Sequence, residues 1–322
     1  MSGVFQHPSA EVRSDSQMYT IVIDGEHAGR RIEKFLRSRL KTVPAGELFR
    51  LMRKGHLRVN GKKVQEGYRL AENDKITLPA LLAAPGQAPE HDVPEYLVRQ
   101  LRNTVVHEDQ DVLVIDKPAG IAVHQGTDNP AGVIEVFRQL RPELPDLELT
   151  HRLDRDTSGL LVLAKTPSML LRYLHELLRD REDEIERHYL ALVAGHWKQG
   201  IESIHAPLLR RADKVVVDPH GQRAETRVVV RQRVGQRATI LDVQLTTGRK
   251  HQIRVHLQSQ GHPIAGDDRY GFAKFNRRVE QLGGRGLFLH ATKLVIPKPD
   301  GQELVVEAPM PLRWKQLLKA GL

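Results

Sequence analysis

The 322-residue sequence contains no cysteine. Its absence excludes a disulfide framework, a thiolate metal site and a cysteine nucleophile. No apolar run approaches the ~18 residues that span a membrane, and the first seventeen residues lack the basic start and apolar stretch of a secretory signal. We therefore expect a cytoplasmic protein that does not enter a membrane. Its length predicts about two domains.

The sequence also lacks the loops and spacings that hold cofactors and metals. There is no GxGxxG or GxxxxGK[ST] loop and no HExxH motif, although sixteen histidines are present. We expect His251 and His256 to lie on one strand, five residues apart and so on opposite faces. We interpret His124, His151 and His290 as hydrogen-bonding residues of loops or the core. The sequence therefore predicts neither a cofactor nor a metal.

Positive charge is present and concentrated in one segment. Residues 29–69 hold thirteen basic and three acidic residues, a net charge of +10. The other residues, 36 basic and 37 acidic, carry −1 of the overall +9. A cluster of one sign this dense favours a polyanionic partner over a solvated face of mixed charge.

The same segment has a regular apolar pattern. Ile32, Phe35 and Leu36 recur at helical spacing, and a second such stripe follows Pro44, from Leu48 to Met52. Asn60–Gly61 is typical of a hairpin turn, and residues 75–78 predict a last strand. We predict a polar tail over 1–18, a small binding domain over 19–79, and a proline-rich linker over 80–95.

The remaining residues, 96–322, favour strands over helices. Short aliphatic or β-branched runs predict strands at 112–116, 159–166, 188–195, 226–233, 238–248, 251–257, 286–296 and 303–308. Helical patterns occur near 130–141, 168–181 and 311–320. Because strands and helices do not alternate regularly, we predict an α+β fold with a mixed, largely antiparallel sheet, flanking helices and a central cleft.

The stretch HRLDRDTSG, residues 151–159, has the composition of a reactive loop. Asp154 stands between Arg152 and Arg155, which favour its charged form, and Gly159 permits a conformation that a Cβ resists. We expect Thr157 and Ser158 to hydrogen-bond local backbone. A permanent carboxylate in a fixed loop suits a nucleophile. For an isolated aspartate, capping a turn is the commoner role.

Two resemblances extend these observations. RRIEKFLRSRLKTVPAGELFRLMRKGHLRVNGKKVQEGYRLAENDKITLP resembles the S4 RNA-binding domain, which implies binding of structured RNA through backbone contacts, since aromatic residues make up only 5 % of the chain. The residues that we expect to contact RNA are Arg30, Arg31, Lys34, Arg37, Arg50, Arg53, Lys54, Arg58, Lys62 and Lys63.

HRLDRDTSG in turn is similar to the signature of the RluA-type pseudouridine synthases, as are VLVIDKPAGIAVHQG, ERHYLALVAG, TTGRKHQIRVHLQSQGHPIAGDDRYG, LFLHATKLVIPKP and VEAPMP. The order of S4 domain, linker and catalytic domain resembles family members that modify large-subunit (23S) ribosomal RNA. The implied partner is that RNA or a large-subunit precursor. Nothing in the sequence calls for a second copy, so we expect a monomer.

The resemblance implies roles for particular residues. Asp154 would be the nucleophile, Tyr189 would stack on the target base and move a proton, and Arg254 would pair with Asp154. Arg152 would enter the RNA as the uridine leaves its stack. Ile253 would pack against the uracil, and Arg249 would contact substrate.

Two positions depart from the family pattern. Lys250 replaces a small hydroxyl residue, which is tolerable if its side chain points outward to phosphate. Arg187 stands where lysine is usual and preserves the charge.

Other functions fit parts of the pattern. A glycosidase would use Asp154 and Asp156, but a turn does not fix two carboxylates at the ~5–9 Å that such enzymes need. An RNA-binding ribosome-assembly factor with dispensable catalysis would need only the S4-like domain. A synthase acting on other uridines, in ribosomal or transfer RNA, would share every motif.

Overall fold

The computed structural model describes residues 18–25, 27–40, 43, 45–79, 93–125, 131–144, 146–165, 173–174, 176–177, 181–198, 200–298 and 301–322. The chain divides into two compact units, residues 1–91 and 92–322. The predicted tail lies outside the described residues except for Met18, as do all but the last three residues of the predicted linker and most of the predicted 168–181 helix.

The first unit is a small α/β module. Its elements are β1 (Met18–Val22), α1 (Ile32–Arg39), α2 (Ala45–Lys54), β2 (Arg58–Val59), β3 (Lys62–Lys63) and β4 (Lys75–Pro79). The strands form an antiparallel sheet in the order β1-β4-β2-β3. Both helices were predicted, and their apolar stripes are buried together in one core. Asn60 and Gly61 adopt positive φ angles of 51° and 74°, which confirms the hairpin turn.

The second unit is built on a large sheet. Its strands are β5 (Val105–Glu108), β6 (Val112–Lys117), β7 (Glu148–Leu149), β8 (Ser158–Ala164), β9 (Glu186–Ala194), β10 (Ser203–His205), β13 (Glu225–Val234), β14 (Ala238–Leu245), β15 (Leu289–Pro297) and β16 (Glu303–Glu307). The order is β10-β13-β14-β9-β15-β8-β6-β5, with β16 beside β15 and β7 beside β8. Only β8 and β15 run parallel among the described pairs, so the predicted mixed, largely antiparallel sheet is confirmed.

The remaining elements surround this sheet. They are the helices α3 (Glu95–Leu101), α4 (Val133–Leu140), α5 (Gln252–Ser259), α6 (Ala273–Gln281) and α7 (Leu312–Lys319), a 3₁₀ turn (Glu182–Glu184), and a separate hairpin of β11 (Leu208–Arg210) and β12 (Val215–Val217). All residues of β8 are buried, as expected of a central strand covered on both faces. No helix in the described part of the chain is long and apolar enough to cross a membrane.

The predicted strand over residues 251–257 is wrong, because this stretch forms α5. Apolar residues alternate there at Ile253, Val255 and Leu257, which favours a strand. Every side chain from Gln252 to Leu257 is nevertheless buried. A helix buried on all sides needs no polar face, so the helical period is hidden. His251 and His256 therefore do not lie on opposite faces of one strand.

One row of paired residues crosses the centre of the sheet. Lys117 of β6 pairs with Gly159 of β8, and Gly159 pairs with Ala291 of β15. Ala291 pairs in turn with Tyr189 of β9, which pairs with Val243 of β14. The row therefore links the end of the 151–157 loop to Tyr189.

Candidate active site

The loop that carries Asp154 is held by hydrogen bonds on both sides. Before it, the Thr150 hydroxyl donates to the carbonyl of Val162 at 2.9 Å, and the Val162 N–H donates to His151 Nε2 at 3.1 Å. Burial lowers the pKa of His151 to about 4, so this imidazole accepts as the neutral form. After it, the Thr157 N–H donates to the Asp154 carbonyl at 3.1 Å. The loop presents an Asp154 side chain that is 21 % exposed.

A buried lysine holds the backbone of this loop through hydrogen bonds. The Lys117 side chain is fully buried and donates to the carbonyls of Pro118, Ile121 and Arg155, at 2.9, 2.8 and 3.0 Å. Burial lowers the pKa of Lys117 to about 7, against the attraction of nearby carboxylates that include Asp154. Since Arg155 follows Asp154 directly, Lys117 fixes the backbone beside the carboxylate.

The end of the loop is fixed by long-range rather than local contacts. The Ser158 side chain hydrogen-bonds His290 Nδ1 at 2.9 Å, so the expectation of a local backbone partner for this hydroxyl is wrong. Gly159 has φ +110°, as the sequence indicated, and a Cβ there would lie 2.2 Å from the Ala291 carbonyl oxygen. The close approach of β15 therefore requires glycine.

The positive charge facing Asp154 comes from α5. Arg254 Nη1 lies 3.4 Å from Asp154 Oδ2. The flanking arginines do not take this place. Arg155 pairs with Asp156 at 3.3 Å, and Arg152 is exposed. The contact inferred from the family resemblance is present, and among the described residues the ion pairs of Asp154 are with Arg254 and His251 rather than with its sequence neighbours.

Arg254 is itself oriented by a carboxylate that the sequence analysis did not single out. Its Nε and Nη2 donate to the two oxygens of Asp267 at 2.8 and 2.9 Å, and the Asp267 side chain is fully buried. Asp267 also accepts from the backbone N–H groups of Arg269 and Tyr270. These donors, Arg254 foremost, lower the pKa of Asp267 despite its burial, so the pair stays ionised.

A histidine also faces Asp154. His251 Nε2 lies 3.7 Å from Asp154 Oδ2, and Nδ1 lies 2.8 Å from the Tyr270 hydroxyl. That hydroxyl also accepts the Val215 N–H at 3.0 Å. Burial lowers the pKa of His251 to about 4. At neutral pH His251 is therefore uncharged, with Nε2 facing Asp154.

A buried amide fixes the start of α5. Gln252 Oε1 accepts from the Arg249 N–H and the Thr247 hydroxyl, at 3.0 and 2.8 Å. Its Nε2 donates to the Glu225 carbonyl and to the Thr226 hydroxyl, at 2.8 and 3.0 Å. His251, just before the helix, has φ +55°. This network sets the conformation that brings His251 and Arg254 to the same carboxylate.

Tyr189 lies in β9 and is 9 % exposed. Burial raises the pKa of its hydroxyl, and the negative charge of Asp154 adds to this, so the phenol is protonated at neutral pH. Arg187, on the same face two residues earlier, opposes this with its positive charge. Tyr189, Arg187 and His151 line one side of an apolar opening at the sheet.

The other predicted substrate residues have different surroundings. Arg249 is half-buried and lies 3.3 Å from Glu182, and its Nε donates to the Arg223 carbonyl. Ile253 is 4 % exposed and belongs to the core, so little of it is available to a base. Lys250 is exposed, and its positive charge is one of those that lower the pKa of the half-buried His251 beside it.

The residues expected to contact RNA in the first unit form a basic surface. Nine of the ten are exposed: Arg31, Lys34, Arg37, Arg50, Arg53, Lys54, Arg58, Lys62 and Lys63. Arg30 is half-buried, and Arg50 pairs with Glu47 at 2.6 Å. This surface suits a chain of phosphates.

The described residues contain no group of three or more histidine, aspartate or glutamate side chains able to hold a metal ion. The candidate site combines a carboxylate, a guanidinium in a fixed orientation, a neutral imidazole and a protonated phenol. Such a set suits nucleophilic attack with proton transfer.

Comparisons with known proteins identify the family of the chain. A family model described as RNA pseudouridylate synthase matches residues 111–259, and an S4 domain model matches residues 30–76. The chain is 43 % identical to ribosomal large subunit pseudouridine synthase C of Escherichia coli K12, over 93 % of this chain and 95 % of that protein. It is 39 % identical to the protein of that name from Vibrio parahaemolyticus, over 96 % and 98 %.

Solved structures extend the comparison to the fold. Human RNA pseudouridylate synthase domain containing 4 is 26 % identical, with a TM-score of 0.58 over 70 % of this chain and 95 % of that chain. Human RNA pseudouridylate synthase domain containing 1, at 24 % identity and a TM-score of 0.52, covers 66 % of this chain and 84 % of its own, and shows the fold alone. This chain therefore belongs to the RluA family of RNA pseudouridine synthases and carries an N-terminal S4 domain.

Proposed function

We propose that this chain isomerises uridine to pseudouridine in large-subunit ribosomal RNA, with Asp154 as the nucleophile. The observation that carries the proposal is the partly exposed Asp154 carboxylate, faced by Arg254 at 3.4 Å and His251 at 3.7 Å. The substrate class is taken from the relatives, which are named for the ribosomal large subunit. We further propose that the enzyme acts as a monomer in the cytoplasm.

The reaction exchanges one bond of the nucleoside for another. The carboxylate of Asp154 attacks the ribose C1′ or the uracil ring, and the C1′–N1 bond breaks. The uracil turns and its C5 bonds to ribose C1′, while the bond between Asp154 and the nucleoside breaks and the free carboxylate is restored. The proton on C5 is then lost and N1 ends protonated, so that atoms and charge balance without a redox step. Both routes of attack need an ionised carboxylate held in one position.

The residues around Asp154 have separate roles in this reaction. Arg254 orients the Asp154 carboxylate through a charge-assisted contact, and Asp267 holds the Arg254 guanidinium in place. His251 faces the same carboxylate without adding charge. Tyr189 stacks on the uracil. Because its hydroxyl is protonated at neutral pH, it can take the C5 proton only as it passes its own proton on, and N1 is the atom that ends protonated.

The first unit supplies affinity for the RNA. A uridine inside a helix must leave its stack before Asp154 can reach it, which costs a few kcal/mol. Contacts between phosphates and the basic surface of the first unit offset this cost. Arg152, exposed beside Asp154, occupies the place that the uridine leaves.

Pseudouridine mapping tests the proposal directly. Ribosomal RNA is isolated from cells that lack the chain and from cells restored with the wild type, Asp154→Asn or Asp156→Asn, then labelled with carbodiimide and read by primer extension. We expect specific stops to vanish without the protein and to return with the wild type and Asp156→Asn only. Asp156 is a matched control because it lies two residues away, 44 % exposed and paired with Arg155.

Other outcomes separate the alternatives. Stops that return with Asp154→Asn would refute the nucleophile. A ribosomal map that does not change on deletion would refute the substrate, and transfer and small RNAs would be mapped next. Restored subunit assembly by Asp154→Asn with no change in any map would favour an assembly factor with dispensable catalysis.

A further inference from the structure

A basic pocket lies beside the candidate active site. It is formed by the turn between β11 and β12, the segment before α5 and the segment after Asp267. Five cationic side chains line it, against one carboxylate, that of Asp213. These five define what we name the hairpin pocket: Arg210, Arg211, Lys214, Lys250 and Arg269.

Most of this charge is not used within the protein. Arg211 pairs with Asp218 at 3.2 Å, and Arg269 donates to the Asp213 carbonyl. Arg210, Lys214 and Lys250 are exposed, and their side chains make no hydrogen bond or ion pair with the described residues. Three cations converging on one concavity without a carboxylate partner indicate an anionic ligand.

The hairpin pocket shares a side chain with the candidate active site. His251 lines the pocket and also places Nε2 3.7 Å from Asp154. The Tyr270 hydroxyl joins the two, since it contacts His251 at 2.8 Å and accepts the Val215 N–H of β12 at 3.0 Å. The positive charges of Lys250 and Arg269 both contribute to the lowered pKa of His251. An anion in the pocket and a nucleoside at Asp154 would therefore both lie beside His251.

We propose that the hairpin pocket binds backbone phosphate of the substrate RNA next to the target uridine, with Lys250 and Lys214 as its principal contacts. The inference rests on the proposed function, because it takes the RNA to be positioned by Asp154. Flexible, exposed cations on an open hairpin suit a continuous polyanion better than a small anion, which needs buried donors. Lys250 stands where the family has a small hydroxyl residue, so this contact is a feature of this chain.

Salt-dependent binding tests the pocket. Full-length wild type, Lys250→Ser, Lys250→Arg, Lys214→Ser and the double serine variant are titrated with large-subunit ribosomal RNA transcribed in vitro, between about 50 and 200 mM salt. Affinity falls as salt rises, so the slope of log affinity against log salt is negative. Removing one cation that binds a phosphate should make this slope less steep by about 0.7 to 0.9. We expect each serine variant to bind roughly three- to ten-fold more weakly, and Lys250→Arg to bind as the wild type does.

A matched control removes a cation elsewhere in the same unit. Arg233 is exposed on β13, eight residues from Glu225, or about 26 Å along the strand. Arg233→Ser should leave both affinity and slope unchanged. The proposal is overturned if the Lys250 and Lys214 variants keep the wild-type slope, or if Arg233→Ser weakens binding as much as they do.

Turnover on the same transcript, followed as tritium release from 5-tritiated uridine, separates this proposal from the proposed function. If wild type binds the transcript but releases no tritium, the proposed function fails. The comparison of salt slopes then still tests whether the hairpin pocket binds phosphate. If wild type turns over and the serine variants keep the wild-type slope, the pocket alone is refuted.

Discussion

Arg254 donates from Nε and Nη2 to both carboxylate oxygens of Asp267, at 2.8 and 2.9 Å. The remaining nitrogen, Nη1, is the one that faces Asp154. This buried, two-point contact fixes the plane of the guanidinium, so the direction of its third nitrogen follows from Asp267. Asp267 therefore sets the direction in which Arg254 faces Asp154, the proposed nucleophile.

Replacing Asp267 should separate catalysis from RNA binding. Asp267→Asn removes one of the two acceptors and leaves the partly exposed Asp154 as the remaining carboxylate beside the buried Arg254, so we expect a loss of up to roughly 3–5 kcal/mol in the free energy of unfolding. Turnover should fall at least ten-fold, with RNA affinity within two-fold of the wild type. Chemical denaturation and tritium release measure the two effects.

Asp268→Asn is the control, since Asp268 is exposed and adjacent. Equal turnover in the two variants would contradict a positioning role for Asp267.

Removing the Tyr189 hydroxyl should lower turnover by about 100-fold or more if the phenol relays a proton. Because burial keeps this phenol protonated at neutral pH, Tyr189→Phe loses the proton while retaining the ring that would stack on uracil. RNA affinity should not change. Tyr96→Phe, in an exposed side chain of α3, serves as the control. Wild-type turnover in Tyr189→Phe would leave stacking as the whole contribution of Tyr189.

Adding a methyl group at Gly159 should destabilise the second unit. The Cβ of Gly159→Ala would lie 2.2 Å from the Ala291 carbonyl oxygen, at a backbone φ of +110°. We expect a loss of roughly 2–5 kcal/mol from the combined clash and strain, measured by urea denaturation.

Gly200→Ala measures the cost of the backbone conformation without a clash, since Gly200 has φ +84° and no atom within 4 Å of a Cβ. Its cost should be about 1–2 kcal/mol. Equal costs for the two substitutions would show that β15 can move away from β8.

Acid should destabilise the protein through His290. This side chain is buried between the Ser158 hydroxyl and the Pro309 carbonyl, and burial lowers its pKa from 6.5 to about 4. Between pH 6.5 and 4 the unfolded chain therefore binds the proton that the folded chain does not, so the free energy of unfolding falls as the pH falls through this window. His290 contributes at most roughly 3 kcal/mol to this fall in the free energy of unfolding.

His290→Gln, which can keep both hydrogen bonds, should reduce the slope of stability against pH, whereas His220→Gln on the surface should not. Denaturation at several pH values measures the slopes. An unchanged slope in His290→Gln would assign the acid sensitivity to other groups, such as His151 and His251.

Composition and periodicity predicted most of the fold. The β-branched runs became strands, and the two stripes around Pro44 became α1 and α2, because each buries one face and exposes the other. Residues 251–257 were misassigned because α5 is buried on all sides and its apolar residues happen to alternate. Burial from every direction is a property of the folded chain, so no local pattern could reveal it.

The site was only partly accessible from the sequence. Asp154 stood out through its loop, but its contact with a residue 100 positions later came from family resemblance and not from spacing. Lys117, His251, Asp267 and Tyr270 were not assigned to the site, although all four lie in segments that resemble the family. Their roles depend on long-range contacts, which one sequence does not contain.

The row of paired residues across the sheet limits how this protein can change in length. Gly159 and Tyr189 are two strands apart, about 9.6 Å, and their alignment depends on the residue count of β8, β15 and β9. Inserting or deleting one residue inside any of these strands would turn the following side chains to the opposite face. Single-residue indels within these strands should therefore inactivate the enzyme.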